Sequence, residues 1–333
     1  MKIAVFSTKP YDRRFLDAAN PAGQHDLLYL EPRLTARTAP LARGSAAVCA
    51  FVNDELGADA LALLHDAGVR LVLLRSGGYN HVDLDAARRL GLTVTHVPAY
   101  SPYAVAEHSL ALILALNRHI PSAYQRVREH NFAIDGLLGF DLHNKTVALI
   151  GTGRIGLLVG KILQGFGCRV KAFDPYASEE ARAAGFVFGD LASTLHDAEI
   201  VTLHCPLVDS TRHLINAHTL GAMKKGAMLI NTSRGGLVDT PAVLEALLSG
   251  QLGYLGIDVY EDEAELFYED RSSQPMADAT LARLLSMPNV IVTGHQGFFT
   301  AEALTAIADT TLRNATAFTE ETPCQHVLAG GGK

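Results

Sequence analysis

The sequence has few cysteines, no concentrated run of basic residues and no long apolar stretch, and each shortage excludes a class of protein. The 4 cysteines lie far apart, without a Cys-x-x-Cys pair, which argues against a disulfide framework and predicts reduced, mostly buried thiols. We accordingly expect no metal. The formal net charge of −7 and the lack of a Lys- and Arg-rich stretch argue against a nucleic-acid partner, because phosphate binding requires concentrated positive charge.

The apolar stretches are too short for a membrane protein. The most hydrophobic one, residues 110–116, is far shorter than the ~20 residues of a membrane-spanning helix. The first residues also lack the long apolar region of a signal peptide. We therefore expect a cytoplasmic location and no membrane partner, and we expect the glycine-rich end, residues 330–333, to fray.

The length and composition are those of a globular chain with two domains. A chain of 333 residues exceeds the usual domain size of about 100 to 200 residues. With 48% hydrophobic and 19% charged residues, the chain can offset its ordering entropy by burying apolar surface.

Short apolar runs alternate with helix-like segments along the chain, a rhythm typical of parallel α/β folds. Helices are predicted over 104–118 and over 301–320. The helix over 301–320 should pack on the domain that is formed by the beginning of the chain. The predicted strands cover 2–6, 46–52, 71–74, 94–97, 146–150, 170–173, 200–203, 227–231, 256–259 and 290–293.

This rhythm predicts an α/β fold of two doubly wound parallel-sheet domains. The chain should cross between them near residues 99–102 and 297–300, and Pro98 and Pro102 bias the first crossing away from helix, which suits a hinge. The resulting prediction is a discontinuous domain of residues 1–100 and 299–333, interrupted by a second domain of residues 101–298.

A glycine-rich turn follows the predicted strand 146–150. Gly151, Gly153 and Gly156 form the pattern Gly-x-Gly-x-x-Gly, and a helix-like stretch, 157–166, comes next. The first glycine permits a tight turn, the second lets the backbone approach a pyrophosphate, and the third lets the helix pack on the strand. Because the helix N-terminus also faces the anion, the segment predicts a dinucleotide site.

Asp174 ends the next predicted strand, roughly twenty residues after the glycine pattern. There it can accept hydrogen bonds from the adenosine ribose, and its charge would repel a 2′-phosphate, so NAD is favoured over NADP. The alternative is that the glycines form only a tight turn and that Asp174 caps a loop. The order of strand, glycine turn, helix and acidic residue favours the cofactor site.

Polar residues follow three of the predicted strands, those over 227–231, 256–259 and 290–293. Arg234, Glu263 and His295 lie among these polar residues. Ligands of open parallel sheets bind beyond the carboxyl ends of the strands, so we expect these three side chains to converge beside a nicotinamide ring.

The three side chains suit the reduction of a 2-oxo acid, which requires a hydride from NADH, a proton for the carbonyl oxygen and a partner for the carboxylate. His295 can donate the proton, because the reference pKa of histidine lies near physiological pH. Glu263 would stabilise the imidazolium, and Arg234 would hold the substrate oxygens in its planar fork. Taken singly, each residue has a structural alternative, and spacing alone does not choose among Glu261, Glu263 and Glu265.

At these positions the sequence resembles the D-isomer-specific 2-hydroxyacid dehydrogenase family, and within it the bacterial fermentative D-lactate dehydrogenase branch. The similarity extends over nearly the whole chain. It includes the glycine pattern and the segments 51–54, 74–80, 97–102, 106–108, 203–206, 231–235, 258–261, 266–272 and 294–296. The resemblance implies a flavodoxin-like substrate domain, a Rossmann NAD-binding domain with a cleft between them, NAD as cofactor, and reversible reduction of pyruvate to D-lactate.

The resemblance also implies the site residues. In the family an Arg, a Glu and a His take the three roles given above, and the position of the Glu after the Asp-Val-Tyr-Glu turn selects Glu263. Substrate contacts are implied for Gly77, Gly78, Tyr100 and Arg234, and Phe298 is expected to crowd the side-chain pocket. Cofactor contacts are implied for Gly151, Gly153, Arg154, Ile155, Gly156, Asp174, Cys205, Pro206, Thr211, Thr232, Ser233 and Asp258.

Two positions depart from the family pattern: Gly77 stands where relatives usually have a small side chain, and Gly297 where they often have Ala. These departures leave the stiffness of the local pocket open. Separately, other substrates stay open, among them glyoxylate, hydroxypyruvate and larger 2-oxo acids, although Tyr100, Phe298 and Phe299 favour a methyl group. Discrimination by one methylene is worth only ~1 to 3 kcal/mol. An NAD-sensing, corepressor-like binding protein is the alternative outside enzymes, and the resemblance further implies a homodimer or homotetramer.

Overall fold

The chain forms two compact α/β units. The computed structural model describes residues 1–263 and 266–330. One unit comprises Met1–Ser101 and the chain from Phe299 onward, and the other comprises Pro102–Phe298. Residues 331–333, for which fraying is expected, and Glu265 lie outside the described residues.

Strands and helices alternate through both units. The strands are β1 (Lys2–Val5), β2 (Asp26–Tyr29), β3 (Ala47–Ala50), β4 (Leu71–Leu74), β5 (Thr93–Thr95), β6 (Thr146–Ile150), β7 (Arg169–Phe173), β8 (Val187–Phe188), β9 (Ile200–Leu203), β10 (Ala227–Asn231), β11 (Leu252–Ile257), β12 (Val290–Val292) and β13 (Val327–Ala329). The helices are α1 (Pro10–Ala18), α2 (Ala58–Asp66), α3 (Leu84–Arg89), α4 (Pro102–Asn117), α5 (Ile120–Arg128), α6 (Arg154–Gly165), α7 (Glu179–Ala183), α8 (Leu191–Leu195), α9 (Ala217–Ala222), α10 (Thr240–Ser249), α11 (Ala279–Leu285) and α12 (Ala301–Thr319).

The first unit has a sheet in the order β13-β5-β4-β3-β1-β2. Strands β1 to β5 pair in parallel, in the order typical of flavodoxin-like folds, and β13 joins the β5 edge antiparallel. Strands β3 and β4 are buried throughout, which explains their uninterrupted apolar sequences. Helix α12 contributes Ala308, Leu312 and Ala315 to the core on one face of this sheet.

The second unit has a fully parallel sheet in the order β12-β11-β10-β9-β6-β7-β8. This is the strand order of a Rossmann fold, and its reversal between β6 and β9 marks the place where dinucleotides bind, beyond the carboxyl ends of the strands. The predicted fold class of two parallel-sheet α/β domains is confirmed.

Some predicted elements differ from the structure. The predicted helix 104–118 begins earlier, at Pro102, because the first turn of a helix does not need the N–H that proline lacks; residues 98–101 before it are not helical, as the two prolines predict. The strand predicted over 256–259 instead spans Leu252–Ile257. Val259 and Tyr260 are buried as strand residues are, but they lie in the turn after the strand, so their apolar character alone did not mark where the strand ends. Strands β2, β8 and β13 were not predicted, since they are short and partly exposed.

Two features of the described residues bear on membranes and metals. In the described ranges, the helices are either too short or too polar to cross a bilayer. Within the same ranges, His, Cys, Asp and Glu side chains form no group of three or more that could hold a metal ion.

Candidate active site

The glycine turn after β6 packs closely against neighbouring backbone at two of its glycines and leaves open space at the third. Gly151 has φ +93°, and a Cβ there would lie 2.7 Å from the backbone nitrogen of Cys205. A Cβ on Gly156 would lie 2.1 Å from the carbonyl oxygen of Gly151. Gly153, the N-cap of α6, has nothing within 4 Å of the place where a side chain would project. The turn thus leaves open space in front of the helix N-terminus, which fits a pyrophosphate group.

Asp174 follows β7 and lies beside this turn. Its Oδ2 accepts hydrogen bonds from the backbone nitrogen and the hydroxyl of Thr152, at 2.7 Å and 2.9 Å, and its Oδ1 accepts one from the amide of Tyr176 at 2.8 Å. Burial opposes ionisation, but these donors outweigh it and lower the pKa of Asp174. The carboxylate is therefore charged and fixed where an adenosine ribose is expected.

The loops after β9 and β10 are joined at the same sheet edge. The hydroxyl of Ser233 donates to the carbonyl of Cys205 at 2.7 Å, and the hydroxyls of Thr232 and Ser109 lie 2.7 Å apart. Burial raises the pKa of the Cys205 thiol to about 11, so the side chain is a neutral, apolar wall.

The remaining predicted cofactor residues flank these loops. Thr211 closes the loop after β9, because its hydroxyl donates to the carbonyl of Pro206 at 2.7 Å and accepts from the amide of Val208 at 2.9 Å. Arg154 is exposed and Ile155 half-buried in the first turn of α6. This placement leaves the Arg154 side chain accessible at the helix N-terminus.

Arg234 lies in a loop that Asn231 organises. The buried Asn231 amide donates to the carbonyl of Arg234 at 2.8 Å and accepts from the amide of Ser233 at 3.0 Å. A Cβ on Gly235 would lie 2.1 Å from the carbonyl oxygen of Tyr260, so only glycine lets this loop rest on the turn after β11. That contact brings Arg234 beside the segment that carries Glu263.

His295 and Glu263 form the central polar pair of this edge. The Nδ1 atom of His295 lies 2.8 Å from Oε1 of Glu263, and Oε2 of Glu263 accepts from the amide of Tyr260 at 2.9 Å. The two side chains are 17% and 23% exposed. Because Nδ1 faces the carboxylate, Nε2 is the ring nitrogen available for proton transfer.

The alternative acidic residue Glu261 points to different partners. Its Oε1 lies 2.5 Å from Nε2 of His213 and 3.6 Å from the Arg212 guanidinium, and its Oε2 accepts from the hydroxyl of Thr240 at 3.3 Å. The structure thus shows that Glu263, and not Glu261, contacts His295. Spacing in the sequence could not distinguish the two.

Asp258 supports the loop that carries His295. This buried carboxylate accepts from the hydroxyl of Thr293 at 2.5 Å and from the amides of Gln296 and Gly297 at 2.9 Å and 2.7 Å. Burial opposes ionisation, but a hydrogen bond from His108 and those of the loop outweigh it and lower the pKa of Asp258. Its predicted contact with the cofactor stays a prediction. Sequence reasoning assigned no role to His108 or Thr293.

The predicted substrate loop lies in the first unit. The hydroxyl of Ser76 donates to the carbonyl of Gly78 at 2.9 Å, and Nδ1 of His96 lies 3.0 Å from the carbonyl oxygen of Gly77. A Cβ on Gly77 would lie 3.6 Å from Cε1 of Tyr100, an ordinary contact. A small side chain would therefore fit there without strain.

Aromatic residues mark the second crossing of the chain. Phe298, the last residue of the second unit, is buried. In the first unit, the rings of Phe299 and Tyr11 meet edge to face, with centroids 4.8 Å apart.

Comparison with known proteins agrees with this geometry. Residues 110–297 match the family model described as D-isomer specific 2-hydroxyacid dehydrogenase, NAD binding domain. The chain is 50% identical to 2-hydroxyacid dehydrogenase A of Aspergillus oryzae, with 100% of this chain and 96% of the relative covered. It is 46% identical to D-lactate dehydrogenase of Escherichia coli, with 98% and 100% covered.

A solved structure extends the similarity to the whole fold. D-lactate dehydrogenase from Aquifex aeolicus, complexed with NAD and lactic acid, has a TM-score of 0.88 and 31% sequence identity, with 99% of this chain and 100% of that chain covered. These findings confirm the resemblance seen in the sequence and the prediction of NAD as cofactor. The chain belongs to the D-isomer-specific 2-hydroxyacid dehydrogenase family and is an NAD-dependent oxidoreductase.

Proposed function

We propose that this chain is a D-lactate dehydrogenase that interconverts pyruvate and D-lactate. The observation that carries the proposal is the 2.8 Å contact between His295 and Glu263, beside the loop of Arg234 at the carboxyl edge of the NAD-binding sheet. The relative from Escherichia coli named D-lactate dehydrogenase covers 98% of the chain, which supports pyruvate as the substrate.

The residues divide the chemistry of pyruvate reduction among them. When bound, NADH supplies the hydride that reaches C2 of pyruvate. His295 holds a proton on Nε2 and transfers it to the carbonyl oxygen, so that one hydride and one proton convert the ketone into the alcohol. Glu263 stabilises the imidazolium before this transfer, and Arg234 binds the carboxylate and polarises the carbonyl with its planar fork.

The first unit supplies the remaining substrate contacts in this proposal. The backbone N–H groups of Gly77 and Gly78 and the hydroxyl of Tyr100 bind the carboxylate, and Phe298 limits the space for the side chain. Residues 1–100 and 299–333 thus act as the substrate domain, and residues 101–298 act as the NAD-binding domain. The cofactor contacts are those predicted from the sequence, including Arg154, Thr211 and Asp258.

We also propose a cytoplasmic homodimer or homotetramer. The segment from α5 to residue 138 presents exposed apolar side chains, among them Ile134 and Leu138, which are 81% and 90% exposed. A groove of about 440 Å³ lies nearby, lined in part by His119, Pro121 and Met287. Monomers rarely leave such apolar surface in water, so a second copy of the chain is the expected cover.

The direct test of the proposed function is turnover of pyruvate. Oxidation of NADH should require pyruvate, and chiral analysis of the product should give D-lactate. The value of kcat/KM for pyruvate should exceed the values for glyoxylate and phenylpyruvate, because a small pocket bounded by Tyr100 and Phe298 would contact a methyl group, which glyoxylate lacks, and would leave no room for a phenyl group. A lower kcat/KM for pyruvate than for both competitors, or L-lactate as the product, would contradict the proposal.

The role of His295 predicts opposite pH dependences for the two directions. Pyruvate reduction should decline at alkaline pH and lactate oxidation at acid pH, because the first requires the protonated ring and the second the neutral ring. Replacing His295→Ala should lower kcat by about 10²- to 10⁴-fold and leave NADH binding, measured by fluorescence titration, nearly unchanged. Replacement of the exposed His218→Ala is the matched control; equal losses in both variants would refute the role.

The role of Asp174 predicts a change in cofactor preference. Replacing Asp174→Ala should weaken the binding of NADH much more than that of NADPH, because it removes both the ribose partner and the charge that repels a 2′-phosphate. Dissociation constants for both cofactors, measured for wild type, Asp174→Ala and the exposed control Glu180→Gln, check this. An unchanged ratio of the two constants in Asp174→Ala would disprove the assignment.

A further inference from the structure

The backbone of the segment that carries His295 is held from behind by Asp258. The carbonyl oxygen of Asp258 accepts from the amide of His295 at 2.7 Å, and its carboxylate accepts from the next two amides, those of Gln296 and Gly297. His295 itself has φ +53°, a conformation that costs energy in residues other than glycine. The consecutive bonds to Asp258 therefore keep the ring of His295 in place.

The Asp258 carboxylate is in turn held by His108, a residue of helix α4. The Nε2 atom of His108 lies 3.2 Å from Oδ1 of Asp258 and 3.0 Å from the hydroxyl of Thr293. That hydroxyl donates to the same Oδ1 atom at 2.5 Å. The side chains of His108 and Asp258 are 17% and 2% exposed, so this carboxylate depends on protein donors in place of water.

The ring of His108 also lies against the loop itself. A Cβ on Gly297 would lie 3.4 Å from Cδ2 of His108 and 3.0 Å from Oδ2 of Asp258. His108 thus meets both the carboxylate that fixes the loop and the backbone of the loop. Helix α4 is otherwise largely apolar on its buried side, so the imidazole is a specific polar link from this helix to the site.

We propose that His108 is a positioning residue for proton transfer, which acts through Asp258 and Thr293 to hold the loop of His295. The inference rests on the proposed function and deepens it. No contact with substrate or cofactor is required of His108. Its N–H, shared between the carboxylate and the threonine hydroxyl, fixes the orientation of Asp258, and Asp258 fixes three consecutive amides of the loop.

This arrangement affects the chemical step more than binding. If Asp258 turns, the Nε2 atom of His295 moves relative to the carbonyl oxygen that must receive the proton, and a displacement of about 1 Å can slow a reaction about 10²-fold. The Arg234 loop and the glycine turn have their own hydrogen bonds and packing, and Asp258 is only one of many proposed cofactor contacts, so substrate and cofactor affinities should change much less than kcat.

Two amide variants test the inference as a matched pair. The side chain of His108→Gln places an N–H donor at a reach similar to Nε2, whereas the shorter His108→Asn does not. We expect His108→Asn to lower kcat about tenfold or more, with the KM for pyruvate and the Kd for NADH changed less than about threefold. His108→Gln should recover most of the lost kcat. The exposed His218→Asn, in the same unit, serves as the control.

The outcomes separate the inference from the proposed function. The kinetics use the 2-oxo acid that wild type reduces fastest. The kcat values of wild type and the His108 variants can then be compared even if that substrate is not pyruvate. If wild type reduces none, the proposed function and this inference both fail. If wild type is active and the Gln and Asn variants have equal kcat, whether equally high or equally low, the positioning role of His108 is overturned.

Discussion

One hydrogen bond, between Nδ1 of His295 and the carboxylate of Glu263, determines which nitrogen of the imidazole can exchange a proton with a substrate. The distance of 2.8 Å and the low exposure of both side chains mean that water competes weakly for the pair. Because the carboxylate occupies Nδ1, Nε2 is the nitrogen left to transfer a proton to a carbonyl oxygen. The other groups of the site serve to place this pair or to place the molecules that react with it.

The parallel sheet explains how distant parts of the chain meet at this edge. Strands β6, β9, β10, β11 and β12 all run in one direction, so the residues that follow them emerge on one side of the sheet. Local packing then joins the loops: Gly235 allows the Arg234 loop to rest on the Tyr260 turn, and Asp258 binds the amides beyond His295. The same edge holds the glycine turn and Asp174, which fits binding of the cofactor beside the proton donor.

The sequence predicted those features that depend on local pattern. Strand β4 was predicted with its observed bounds because all its residues are buried on both faces of the sheet. The glycine turn was predicted because its sequence pattern follows from steric need. Strand β2 was not predicted, because its residues are only partly buried and a strand prediction relies on the apolar pattern of burial. Sequence spacing also left Glu261 and Glu263 equivalent, since only the fold turns Glu261 towards His213. The contact between His108 and Thr293 joins residues that are 185 positions apart, and no local sequence pattern predicts such a contact.

The measurement that tests the central pair most directly is kcat for pyruvate reduction by Glu263→Gln, with Glu261→Gln as the control. The glutamine oxygen can still accept the bond from Nδ1 but carries no charge, so the variant removes the partner charge of the imidazolium in the chemical step. We expect kcat to fall about tenfold or more in Glu263→Gln, with the Kd for NADH nearly unchanged, and to stay close to the wild-type value in Glu261→Gln. A wild-type kcat in Glu263→Gln, or an equal loss in both variants, would contradict the account.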